Sequence, residues 1–240
     1  MLPHKLTLCL VLFLLNSSSI LAQQRKPPAG GHLAIVVDER LAALRATPQL
    51  TGRLVRRLSR GRLLAVRSMK TSADGIAFYL VNVSSRTQGW IQREAVVAPS
   101  RQGDDQRLFT LIERSDGFDR LARARIFLDH FSRSRLRPAV LLLLGNTAEE
   151  LAAKLSNDAA RRLKEDHGDA PEFSYFLNYT GLDRYNRRGI TFVFDQSTKR
   201  FHYDGAAWRE VIRRYPRSLF AAEAKIKLDA LYSQLRRTLD

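Results

Sequence analysis

The sequence predicts a multidomain α+β protein: a small β barrel over residues 33–98, then an α-helical, repeat-like domain over residues 106–240 with an inserted β hairpin. Three observations predict it. Between residues 33 and 97, short apolar and β-branched runs alternate with clusters of Gly, Pro, Ser and Thr. From residue 106 onward, apolar residues recur at helical spacing. Within residues 173–215, which hold eleven of the 21 aromatic residues, two segments return to strict alternation.

The chain has 240 residues, 45% hydrophobic and 27% charged, which is the composition of a folded chain. Its formal charge is +16, with 40 basic residues against 24 acidic ones. That balance first suggests nucleic acid. The N-terminus redirects the inference. Lys5 precedes the apolar run from Leu6 to Leu15, and small polar residues follow up to Ala22. These are the basic, apolar and cleavage regions of a signal peptide over residues 1–22. The run is shorter than the ~20 residues a spanning helix needs, so removal is expected, leaving no integral membrane span. Cys9, the one cysteine, lies inside that run, so the mature chain is expected to lack disulfides and to fold by burial alone. A periplasmic or extracellular bacterial setting follows, and nucleic acid ceases to be the expected partner.

Residues 23–32 read as a Pro/Gly-rich linker. Strands are expected over residues 34–37, 41–45, 63–66, 76–83 and 89–97, separated by turn chemistry at Thr47-Pro48, Gly52, Gly61, Gly75 and residues 84–88. Five short strands in so few residues point to a barrel or sandwich. Residues 40–70 contain eight Arg and one Lys without one acid. Arg53, Arg56, Arg57, Arg60 and Arg62 fit either a solvated face or a patch for an anionic polymer or membrane surface. No aromatic interleaves them as a groove for single-stranded nucleic acid requires.

The succession Ala43-Leu44-Arg45 with Pro48, Leu58-Ser59-Arg60-Gly61, Phe78-Tyr79-Leu80-Val81 and Gly89-Trp90-Ile91 resembles a bacterial SH3-like domain. Here Arg45 and Pro48 are kept, but the asparagine that often accompanies them is not. The resemblance implies a small barrel at residues 33–98 that binds a cell-wall peptide or protein, or serves as an accessory module.

After a second linker at residues 99–105, one or two helices are expected over residues 106–131, with a break at Ser115-Asp116-Gly117. A helix over residues 137–144 is expected to start with Pro138 in its first turn and to close at Gly145. Thr147 and Glu150 then fit a capping box for the next helix. Residues 206–215 and 219–239 predict a final helix pair. Phe131-Ser132-Arg133-Ser134 is echoed by Tyr215-Pro216-Arg217-Ser218, each a helix end followed by a polar corner and a new helix. The second unit, with Ala221, Ala224 and Leu228, is similar to the helix-turn-helix units of envelope tetratricopeptide-like proteins. Between the echoes, near residues 173–205, Ile190-Thr191-Phe192-Val193-Phe194-Asp195 and Arg200-Phe201-His202-Tyr203-Asp204 predict a hairpin turning at residues 196–199. Its aromatic face can pack on helices or line a groove for a peptide or glycan.

Catalytic patterns are sparse: no nucleophile elbow, phosphate-binding loop, dinucleotide fingerprint or zinc-protease motif occurs. His130, His167 and His202 stand far apart, without metal-ligand spacing. His202, flanked by Asp195 and Asp204, is the one imidazole with nearby acids for hydrolysis. Adjacent acids such as Glu149 and Glu150 point to different faces and read as helix N-terminal charge. The expectation is an exported, non-enzymatic adaptor or scaffold for a protein or peptide partner in the cell envelope, without cofactor or metal. A peptidoglycan-binding module is the first alternative and an uncharacterised hydrolase the second. The candidate ligand-binding residues are Arg53, Arg56, Arg57, Tyr79 and Trp90 on the β module, and Phe194, Tyr203 and Trp208 around the hairpin.

Overall fold

A computed structural model describes residues 30–165 and 181–236 of the chain. The signal-like run, Phe173, Tyr175, Phe176, Tyr179 and His167 lie outside the described residues.

The N-terminal part is one antiparallel sheet of seven strands: β1 (His32–Val36), β2 (Ala43–Arg45), β3 (Leu54–Arg57), β4 (Leu63–Thr71), β5 (Ala77–Ser84), β6 (Thr87–Gln92) and β7 (Val96–Val97). Their spatial order is β3-β2-β6-β5-β4-β1-β7. The expected SH3-like barrel does not form. β3 and β7 are the two ends of the sheet and do not pair with each other, so the sheet stays open. The alternation within β1 supplies the physical reason. Ala34 and Val36 enter the sheet's own core with Leu44, Leu64, Val81 and Ile91. Ile35, like Val37 just beyond the strand and Val97 in β7, joins a second core with Leu108, Ile112, Leu121 and Phe127. A strand apolar on both faces is buried on both faces. Helices therefore cover this end of the sheet.

Among the described residues, six α-helices and two strands follow that layer, beginning with α1 (Asp104–Glu113) and α2 (Gly117–His130), which break where the sequence predicts. The 99–105 segment is held at both ends: the Ala98 N–H donates to Asp104 Oδ2 at 2.7 Å, and Arg107 donates to the carbonyls of Glu94 and Val96. A second seam lies between β module and α2. Arg123, buried, donates from Nε to the Val37 carbonyl at 3.2 Å, and Arg60 makes a two-point contact with Asp119 at 2.7 and 3.1 Å.

α3 (Arg137–Glu165) is one continuous helix, contrary to the expected close at Gly145 and restart at Thr147. Gly145 is there for approach, not termination. A Cβ at this position would stand 2.4 Å from Trp208 Nε1, so the indole packs directly on the helix backbone. Thr147 is buried and accepts from Arg120 Nη1 at 3.3 Å instead of capping.

After α4 (Leu182–Asn186) come β8 (Phe192–Asp195) and β9 (Arg200–Tyr203), the expected hairpin with its turn at residues 196–199. α5 (Ala206–Arg214) and α6 (Phe220–Arg236) complete the described chain. The sequence echo corresponds to two equivalent corners. Ser134 and Ser218 N–H donate back to the carbonyls of Phe131 and Tyr215 at 3.2 and 2.9 Å. The corners also touch, because Arg137 Nε donates to Tyr215 Oη at 3.1 Å and its Nη1 to the Leu128 carbonyl at 2.7 Å. Among the described residues, no helix is long and apolar enough to cross a membrane.

Candidate functional site

β3 is short, terminal in the sheet and exposed at all four of its residues. Its partner β2 meets it with a bulge: Leu44 stands opposite Arg56, but the next residue, Arg45, stands opposite Leu54, which leaves Val55 extra. Leu54 and Val55 are 45% and 40% exposed, unusual for aliphatic residues in a sheet that has a core available. The strand is anchored to β2, since the Leu58 N–H reaches the Ala42 carbonyl at 2.9 Å and the Ala46 N–H reaches the Arg53 carbonyl at 3.0 Å. Among the described residues, its other edge borders no strand.

The five arginines read together in the sequence separate into two groups. Arg60 is spent on Asp119, and Arg62 Nη2 donates to the Val83 carbonyl at 3.0 Å, so these two hold the fold. Arg53, Arg56 and Arg57 are exposed and make no side-chain hydrogen bond or ion pair with any described residue. Free guanidinium groups beside an unpaired strand edge can bind carboxylates or phosphates at two points.

Tyr79 and Trp90 belong to successive rows of the sheet, Tyr79 opposite Ile91 and Leu80 opposite Trp90, so they face opposite sides. Trp90 is half-buried in a row that runs Leu54, Arg45, Trp90, Leu80 out to the β3 edge. Arg45 sits in that row with Nη1 on the Gly52 carbonyl at 2.8 Å, which fixes the turn leading into β3. Tyr79 packs against the sheet core and accepts from Arg101 Nη1 at 3.0 Å.

The hairpin aromatics occupy a packed interior. Tyr203 and Trp208 are 2% and 1% exposed and meet edge to face, with ring centroids 5.5 Å apart. Trp208 Nε1 donates to Asn146 Oδ1 at 3.1 Å, and Tyr203 Oη accepts the Ala207 N–H at 2.8 Å. Burial pushes the Tyr203 phenol well above its ordinary range. Phe194 is half-buried against Phe201, 5.1 Å between centroids. These rings fill space between hairpin and helices and leave no open aromatic groove at Tyr203 or Trp208.

His202 finds a partner that sequence spacing did not indicate. Its Nδ1 lies 3.3 Å from Glu149 Oε1, while Glu149 Oε2 accepts the Tyr203 N–H at 2.8 Å. Ser156, two turns along α3, accepts the Phe201 N–H at 2.8 Å. Two side chains of one helix thus satisfy alternate amides of β9, the edge away from β8. Asp195 instead holds the hairpin turn, accepting from Ser197 and Thr198; burial disfavours its charge, but those bonds together hold its carboxyl below the usual range. Asp204 accepts the Ala206 N–H at 2.9 Å. Glu149, expected as helix N-terminal charge, lies inside continuous α3, and its bond to Tyr203, like that of Ser156 to Phe201, had no signal in the sequence because the partners lie more than 40 residues away.

An open cleft of about 530 Å³ lies between the 99–103 turn and the 130–134 corner. Three of its polar side chains are already matched: Ser134 Oγ donates to Asp105 Oδ2 at 2.7 Å, and Arg101 is held by Tyr79. Burial lowers the tendency of His130, on its rim, to take a proton. Among the described residues, no three His, Cys, Asp or Glu side chains converge as metal ligands. Compared with known proteins, the chain matches no family model, no curated protein and no solved structure.

Proposed function

We propose that this chain is an exported, non-enzymatic adaptor that holds a protein or peptide partner in the cell envelope through the arginine-bearing edge of its sheet. The observation that carries the reading is β3 itself. Arg53, Arg56 and Arg57 are exposed without partners among the described residues, on a strand whose outer edge no described strand borders. Elsewhere the same residue type is consumed by the fold, as in Arg60, Arg107, Arg123 and Arg137. The signal-like run at residues 1–22 supports the compartment. The residue a hydrolytic reading would use, His202, is buried and paired with a carboxylate that also holds backbone.

Affinity capture from a bacterial envelope fraction tests the proposal, with the chain and its Arg56→Glu/Arg57→Glu variant as parallel baits. Partners retained by the chain and lost by the variant are expected. Identical captures by both, or turnover of peptide or cell-wall substrate by the purified chain, would overturn the reading. Sedimentation with purified peptidoglycan, lost in the same variant, would reassign the surface to the cell wall.

A further inference from the structure

We infer that β3 is a strand-addition site whose occupant is an extended acidic peptide of a partner protein. The inference rests on the adaptor reading and specifies the partner's chemistry and mode of binding. The backbone carries it first. Leu58 and Arg56 occupy the positions of β3 and its extension that pair toward β2. In an antiparallel ladder the intervening residues turn their N–H and C=O groups the other way. The peptide groups of Arg57, and of Leu54 beside the inward-bonded Arg53, therefore belong to the open edge. Adding a strand there satisfies groups that water now satisfies, and side chains supply selectivity.

The side chains decide which strand fits. Arg57 and Leu54 share the face of Arg45 and Trp90, whereas Arg56 lies on the opposite face with Leu44. An incoming strand thus meets a guanidinium on both of its faces and an aliphatic neighbour at Leu54. Residues 40–70 contain no acid to neutralise these charges from within. A second copy of this chain, paired edge to edge, would set arginine against arginine, and like charges directly opposite destabilise a sheet. Charge and bulge together protect the edge from self-association. An acidic strand removes the repulsion and gains the pairing. The short edge suits a segment of about four to six residues.

The test uses the full chain and a fluorescein-labelled Glu-Val-Glu-Val-Glu-Val peptide, read by anisotropy at low salt. A matched peptide carries N-methyl groups on alternate amides, which removes strand hydrogen bonds and keeps the charge. Saturable binding is expected, weakened about tenfold or more both by N-methylation and by Arg56→Glu/Arg57→Glu. Both arginines are exposed, and an unchanged urea midpoint confirms that the variant is folded. Equal affinity for the two peptides overturns strand addition, as does binding of polyphosphate in preference to the peptide, or dimerisation of the chain lost in Arg57→Glu. Absence of peptide binding also overturns it. The adaptor reading falls separately, only if envelope capture is indifferent to the two arginines.

Discussion

The indole of Trp208 lies against Gly145 in the middle of α3, so close that a Cβ there would stand 2.4 Å from Nε1 and 2.7 Å from Cδ1. Glycine inside a helix ordinarily costs ~1 kcal/mol relative to alanine. Here the balance reverses, because the added methyl must displace a fully buried ring bonded to Asn146. Gly145→Ala is expected to lose about 1–3 kcal/mol of stability, the range for overpacking a filled core. Urea unfolding measures it. A gain in stability would show that the ring can move aside.

The hairpin is tied to α3 through Ser156 and Glu149. Ser156→Ala leaves the buried Phe201 N–H without its acceptor, at an expected cost of about 1–3 kcal/mol. Hydrogen exchange gives a more specific readout. The Phe201 amide should exchange much faster in Ser156→Ala while the Tyr203 amide, held by Glu149, stays protected. Equal loss at both would mean that the hairpin leaves the helix as a unit.

The seam between sheet and helices is sensitive to acid. Arg40, bonding the Asp38 carboxylate, and Arg60, bonding that of Asp119, each hold the carboxyl below the usual carboxylate range. A carboxyl with a lowered folded value stabilises the fold fully above its unfolded value of ~4 and ceases to do so as pH falls through the folded value. The urea midpoint should therefore drop below pH 4. Asp119 is half exposed, so solvent screens its pair and Asp119→Asn should cost no more than ~1 kcal/mol at neutral pH. The same variant should show a shallower acid dependence. An unchanged slope would remove Asp119 from this explanation.

Much of the helical part was legible in the sequence for local reasons. The α1–α2 break follows Ser115-Asp116-Gly117, and the hairpin follows from alternating Phe192, Phe194, Phe201 and Tyr203 around a polar turn. The polar corners at residues 131–137 and 215–221 also declared themselves, because their bonds span only three residues. The errors arose where distant partners decide. Gly145 reads as a helix stop until Trp208 is placed on it. The apolar run at residues 34–37 reads as a barrel strand, but its two faces serve two cores, and helices occupy one side. Leu54-Val55-Arg56-Arg57 has no clear alternation, so the strand at the center of the functional proposal had no periodic signal.

The separation of the arginines into structural and free groups yields its own test. Arg60→Ala breaks the two-point contact with Asp119 and should lower stability measurably. Arg56→Ala and Arg57→Ala should each change it by less than ~0.5 kcal/mol, as surface substitutions do. Comparable losses at all three positions would contradict the division.

The most direct measurement is amide hydrogen exchange across β3, with and without the acidic hexapeptide at saturation. The account predicts slower exchange at Leu54 and Arg57, which face the open edge, and little change at Leu58, whose N–H is already bonded to Ala42. Saturating peptide that leaves Leu54 and Arg57 exchanging at their free rates would contradict strand addition at this edge.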